Sequence, residues 1–282
     1  MASIKPILIC TDLDRTLLPN GPQQESAQAR PLFHKLVAHP EVTLVYVSGR
    51  DQRLLLQAIA EYDLPVPDFA IGDVGTTIYS ISAQHWHNWS AWQDEISTDW
   101  CDCTNQDLAA QLADIDSLTL QEVEKQNNFK LSYYAPIAID ASALLNEIRL
   151  RLDKLSVKTN LIWSIDEQNH TGLLDILPNS ANKLHAIRFL QQQQGHAIDR
   201  TLFAGDSGND LEVLCSEVPA VLVHNAQQEV VDAAISLARQ SGHEQQLYMA
   251  RGGIFGLNGH YAAGIIEGVL HYYPEYRALL ES

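Results

Sequence analysis

The chain has 282 residues, which favours one large domain or two of ordinary size, and 46% of them are apolar, enough for a sizeable core. A formal net charge of −17 argues against nucleic acid and anionic membrane as partners. There is no apolar run of roughly 18 residues to cross a membrane, and the N-terminus enters a strand pattern without the charged and apolar regions of a signal peptide. A cytoplasmic protein is therefore expected.

The organising stretch is the first one. Residues 7–10 form a short apolar run rich in β-branched residues, bounded by Pro6 and Thr11, and read as a buried strand. Asp12 and Asp14 follow where that strand must end. Two carboxylates so placed repel each other unless a cation or a shared proton intervenes. A hard divalent cation such as Mg²⁺ suits oxygen donors. One carboxylate is then available as a nucleophile and the other as a proton donor.

Residues 27–38 carry apolar residues at helical spacing, with Pro31 near the first turn. Residues 42–47 are a second β-type run, ending in Ser48-Gly49-Arg50, and a helix pattern follows over 51–61. Residues 68–71 are a third short run, followed by a glycine-punctuated turn over 72–79. Strand, helix, strand, helix, strand begins a doubly wound, mainly parallel α/β sheet. The character then changes. Trp86, Trp89 and Trp92 recur at a spacing of three and are read as packing one helical face into an inserted module. Helices over 106–112 and 141–155, with alternating strands over 129–135 and 157–165, make that module α+β.

The α/β pattern returns near residue 173. A helix is expected over 180–194 with Ser180 as its N-cap, and a strand over 201–204 ending in Gly205-Asp206-Ser207-Gly208-Asn209-Asp210. A strand over 220–223, a helix over 227–239, a glycine-rich loop and a last helix over 260–272 complete the chain. The expected organisation is a core of 1–81 and 175–282 with an α+β cap of 82–174, placed to cover the site as a lid. Of the four cysteines, Cys10 and Cys215 fall in core patterns. Cys101-x-Cys103 has neither redox nor zinc spacing, so no disulfide framework is expected.

Four segments place polar residues at strand ends, which converge on one side of a parallel sheet. They carry Asp12 and Asp14; Ser48; Asp206, Asn209 and Asp210; and Lys183 in the first turn of its helix. A phosphate monoester is a dianion and repels a carboxylate nucleophile. Mg²⁺ held by Asp12, Asp206 and the backbone carbonyl of Asp14 offsets that repulsion, and Lys183 neutralises further charge. The Ser48 hydroxyl, the Gly49 N–H and Arg50 offer donors to phosphoryl oxygens.

The segments Asp12-Leu-Asp14-Arg-Thr16, Ser48-Gly49-Arg50, Lys183 and Gly205-Asp206-Ser207-Gly208-Asn209-Asp210, in this order, resemble the four motifs of the haloacid dehalogenase-like phosphatases. An insert between the second and third is the arrangement of the branch with the larger α+β cap. Within it the chain looks like the sucrose-phosphate phosphatases, on Gly75-Thr-Thr-Ile-Tyr79, Leu174-Asp-Ile-Leu-Pro178, Asn182-Lys183, Asn225-Ala-Gln227 and the stretch from Tyr261 to Gly268. By that resemblance Asp12 is the nucleophile, Asp14 the acid/base, and Ser48 and Lys183 hold phosphate. Asp206 binds Mg²⁺, supported by Asn209, a candidate substrate contact, and Asp210, a candidate metal ligand.

The cap would read the sugar through Gln126, Asn127, Lys130 and Tyr133, while Asn225 and Gln227 face the site from a strand end. The implied reaction is hydrolysis of sucrose 6-phosphate by a monomer, with the matching sugar-phosphate synthase as a candidate partner. A related disaccharide phosphate such as mannosylfructose phosphate, a smaller sugar phosphate, or a phosphomutase-type transfer stay open.

Overall fold

The computed structural model describes residues 4–281 apart from 84 and 168. Among the described residues, twelve strands form two sheets. Strands β1 (Ile7–Thr11), β2 (Val42–Val47), β3 (Phe69–Gly72), β4 (Thr77–Ser82), β5 (His85–Asn88), β10 (Thr201–Gly205), β11 (Ala220–Leu222) and β12 (Leu247–Met249) build the larger one. Its order is β12-β11-β10-β1-β2-β3-β4-β5. The six strands from β12 to β3 are parallel, and β4 and β5 add an antiparallel hairpin at one edge. The smaller, wholly antiparallel sheet contains β6 (Thr119–Leu120), β7 (Leu131–Pro136), β8 (Thr159–Asp166) and β9 (Thr171–Pro178), ordered β6-β7-β9-β8.

Strand β1 is buried along its whole length, as a central parallel strand covered on both faces must be. On one face of the large sheet lie α1 (Ala29–Val37), α2 (Gln52–Glu61), α9 (Ala262–Tyr272) and α10 (Arg277–Glu281), with Phe33, Leu55, Ile266 and Leu280 in the shared core. On the other lie α3 (Ser90–Ser97), α6 (Lys183–Gln193), α7 (Leu211–Leu214) and α8 (Gln228–Ser241), packing Trp92, Ile187, Leu214 and Ala234. The small sheet has its own core beneath α4 (Asn105–Leu112) and α5 (Ala141–Leu152), centred on Leu108, Ile148, Leu174 and Ile176. A doubly wound α/β core with an α+β insert is thus observed.

Three local readings are corrected. Residues 72–79 are not a simple turn. Asp73, Val74 and Gly75 take left-handed φ of 52°, 61° and 92°, and the chain then reverses into β4, which the glycine spacing conceals. The three tryptophans do not share a helical face in the cap. Trp86 lies on β5 against Tyr79, Trp89 precedes α3 and stacks on Phe69, and Trp92 is buried against Phe189 of α6. The Trp92 indole N–H donates to the Gly75 carbonyl at 3.0 Å, so these rings brace the large sheet. Asn182, not Ser180, caps α6, accepting from the His185 N–H at 2.8 Å.

The sheets also divide at different residues from those of the expected cap, 82–174. Residues 85–88 pair with β4 in the large sheet, and 175–178 complete β9 in the small one. Hydrogen bonding across a sheet, rather than composition, assigns them. All four cysteines are free thiols, with Cys10 and Cys215 buried.

Candidate active site

The carboxyl ends of β1, β2 and β10 meet, as parallel strands require. After β1 the backbone turns sharply because the amides of Thr16, Leu17 and Leu18 all donate to the Leu13 carbonyl. Leu13, Leu17 and Leu18 drop into the core, while the buried Asp12 and the partly exposed Asp14 line the cleft at the end of β1. Strand β10 ends in Gly205, where a Cβ would sit only 2.7 Å from the Asp210 carboxyl carbon; glycine lets Asp210 fold back beneath the site.

Lys183, brought in by the first turn of α6, donates from Nζ to Asp12 Oδ1 at 2.9 Å and to Asp210 Oδ1 at 2.7 Å, with Asn209 Oδ1 at 3.3 Å. Residues 12, 183 and 210 are thereby joined although 171 positions separate the first two. Asp206 accepts from the Thr16 hydroxyl at 3.1 Å, and its other oxygen lies 3.6 Å from Arg15 Nε. Asp210 uses its second oxygen to receive the backbone N–H groups of Asp206 and Ser207 and the Ser207 hydroxyl, each at 3.1 Å.

Oxygens of Asp12, Asp206 and Asp210 lie within 4.8 Å of one another, all three residues being buried. Burial raises the Asp12 carboxyl to about 7, Lys183 opposing the rise and Asp210 adding to it. Burial and the neighbouring Asp210 raise Asp206 to about 6. Burial works against the Lys183 ammonium, but Asp12 and Asp210 outweigh it and hold its pKa above the ordinary value. A crowded all-oxygen set short of positive charge fits a hard divalent cation. Both oxygens of Asp210 are already committed, so Asp12 and Asp206 are the better placed side-chain ligands and Asp210 supports them.

Asp14 stands differently. Arg50 forks onto it, Nε to Oδ2 at 2.9 Å and Nη2 to Oδ1 at 2.6 Å, and Asn20 adds a bond at 2.8 Å. Burial alone would raise its pKa, but these donors bring it below the usual carboxylate value. Ser48 is buried, and its hydroxyl accepts from the Arg50 N–H at 3.2 Å. A cleft of about 390 Å³ is lined by Asp12, Asp14, Arg15, Ser48, Arg50 and Asp206, with Gly49 and Asn209 also on its wall.

The remaining expected contacts separate. Gln126 spends its amide inside the cap, donating to the Gln121 and Ser132 carbonyls and accepting from the Ser132 N–H. Asn127 donates to the Thr76 hydroxyl at 2.9 Å and so ties the cap to the core. Lys130 is buried, 3.9 Å from Asp175. Tyr133 points into the cap core, on the opposite face of its strand from Ser132. Asn225 is buried and its amide is used at both ends, by the Arg15 carbonyl at 2.6 Å and the Tyr261 N–H at 2.9 Å. It is a brace behind the first motif rather than a free donor. Gln227 is exposed at the start of α8.

Two members of the site escaped the sequence reading. Asn20 has no spacing signal, and Arg15 was read only as part of the first motif, with no role of its own. The glycine-rich loop acquires a role: the buried Glu267 carboxylate receives the Arg251 and Gly252 N–H groups at 2.9 and 2.8 Å, and Asn258 beyond it holds the Gln24 carbonyl.

This core, cap and carboxylate–lysine cluster define a haloacid dehalogenase-like hydrolase. A family model described as Sucrose-6F-phosphate phosphohydrolase matches residues 5–273, and the chain belongs to that family. It is a phosphoric monoester hydrolase, a sugar-phosphate phosphatase. It is 55% identical over 276 residues to a HAD-like hydrolase of Nitrosococcus oceani, covering 98% of this chain and 74% of that one. It is 31% identical to a mannosylfructose-phosphate phosphatase of Agrobacterium fabrum, covering 95% and 98%. In three dimensions it is similar to the sucrose-phosphatase of Synechocystis sp. PCC6803, solved with sucrose and phosphate, at a TM-score of 0.69 and 23% identity over 95% of this chain and 98% of that one. Among the described residues no helix is long and apolar enough to cross a membrane.

Proposed function

We propose that the chain is a Mg²⁺-dependent phosphatase that hydrolyses sucrose 6-phosphate through a phosphoryl-enzyme formed on Asp12. The observation that carries this reading is the junction of Lys183 with Asp12 and Asp210 at 2.9 and 2.7 Å beside the buried Asp206. Mg²⁺, held by Asp12, Asp206 and the backbone carbonyl of Asp14, would supply charge neutralisation for the incoming dianion.

Lys183 already engages Asp12 Oδ1, which leaves the other oxygen to attack phosphorus. The bond from phosphorus to the sugar oxygen breaks as the new one forms. Asp14, at the mouth of the cleft, gives a proton to the departing alkoxide and then takes one from the water that cleaves the acyl phosphate. For that first transfer the Arg50 fork must loosen, and a phosphate dianion is a competing acceptor for the same guanidinium. Ser48 and the Gly49 N–H complete the phosphate contacts. The sugar would meet the cap near Lys130 and Asn127. A monomer working after a sugar-phosphate synthase is the simplest setting.

The Agrobacterium fabrum relative favours a second reading, a phosphatase of mannosylfructose phosphate. A phosphate-release screen over mono- and disaccharide phosphates, with and without Mg²⁺, separates the two. Fast turnover of hexose 6-phosphates with none of the disaccharide esters would defeat both. Asp12→Asn should lower turnover by about four orders of magnitude, as loss of a covalent nucleophile does, while still binding substrate. Wild-type activity in that variant would overturn the mechanism.

A further inference from the structure

Arg15 is held unusually. Its backbone lies in the left-handed region at φ 61°, where a side-chain-bearing residue is strained. Both backbone groups are fastened, the N–H to Asn20 Oδ1 at 2.8 Å and the carbonyl by Asn225 Nδ2 at 2.6 Å. The side chain is not. Nε is buried, has no hydrogen-bond partner, and lies 3.6 Å from Asp206 Oδ2, so it is held by charge alone. The side chain as a whole is 34% exposed and lines the cleft.

We propose that Arg15 is a tethered counter-ion of Asp206 that competes with the divalent cation for this carboxylate and turns toward the phosphate once the cation binds. Asp12, Asp206 and Asp210 bring three negative charges, and Lys183 and Arg15 bring two positive ones, which leaves the cluster one negative charge in excess. A dication at Asp206 reverses that excess and repels the guanidinium. The pinned backbone confines the response to the side chain, and the cleft into which it can turn is where a phosphate dianion must sit. The two ligands then strengthen each other's binding, as linkage requires when one residue opposes the first and favours the second. This rests on the metal reading above.

The test is calorimetric titration of metal-free protein with MgCl₂, alone and with inorganic phosphate, for wild type, Arg15→Gln and Arg15→Lys. At contact range, repulsion between a unit charge and a dication changes affinity about tenfold even at the solvent end of the dielectric range. Arg15→Gln should therefore bind Mg²⁺ about tenfold more tightly than wild type, and phosphate should strengthen its Mg²⁺ binding less. Arg15→Lys, which keeps the charge, should stay within about threefold of wild type. A purely structural residue does not improve metal affinity when it is lost. Arg15→Met repeats the measurement if the glutamine variant folds poorly. Equal or weaker Mg²⁺ binding in the folded neutral variants overturns the counter-ion role. Absence of binding in every form, wild type included, overturns the metal reading beneath it.

Discussion

Replacing Asn225 with alanine distinguishes a brace from a substrate contact. The side chain is 3% exposed, and its amide satisfies the Arg15 carbonyl and the Tyr261 N–H. Both partners sit at positive φ, 61° and 53°, so the same amide holds two strained residues in place. Asn225→Ala orphans one buried acceptor and one buried donor, each costing about 1–3 kcal/mol. Some relaxation is available because Arg15 is near the surface, so a total loss of about 2–4 kcal/mol is expected. For a chain of this size that is a fall of roughly 5–12 °C in Tm. Turnover should fall as well, because the Arg15 loop carries Asp14 on its other side. Thermal and urea unfolding of the metal-free protein, with steady-state phosphate release alongside, measure both. A variant within about 0.5 kcal/mol of wild type whose KM rises at unchanged kcat would refute the brace and restore Asn225 as a substrate contact.

Gly205→Ala should abolish activity without removing any polar group. The new Cβ meets Asp210 at 2.7 Å and drives it off Lys183, which activity and Mg²⁺ titration both report. The raised carboxyls set a pH dependence. Asp206 at about 6 and Asp12 at about 7 keep protons in the native state that the unfolded chain has lost above about 4. Stability of the metal-free protein should therefore decline as pH rises from about 4 to 7 and level off above. Mg²⁺ must displace those protons, so its affinity should rise across about pH 5–7, with proton release seen in calorimetry at pH 6 and absent at pH 8.5. With a net charge of −17 facing a dianionic ester, kcat/KM at saturating Mg²⁺ should rise modestly with ionic strength. A steep fall would show that Lys183, Arg50 and Arg15 dominate the field at the cleft.

The sequence by itself determined the parallel core and put the candidate site residues at its strand ends. Short apolar runs ending in Asp12, Ser48 and Asp206 are legible because strand burial and strand-end polarity are local properties, and parallel strands present their carboxyl ends together. Lys183 was legible only as a residue in the first turn of a helix: the strand before it, β9, belongs to the antiparallel small sheet, and α6 carries the lysine back to the parallel strand ends. Tertiary structure alone decided the rest. Which sheet residues 85–88 and 175–178 join depends on partners far along the chain, and periodicity is blind to partners. Whether an amide is free or consumed depends on groups that the fold brings up from 6 to 210 positions away. Asn225 and Gln126 have the right chemistry for a substrate, yet they are satisfied by Arg15, Tyr261 and Ser132. Arg15 shows the converse: an ordinary residue of the first motif in sequence, it becomes a charge with no hydrogen-bond partner at its buried nitrogen beside the Asp206 carboxylate once the fold brings residue 206 to it.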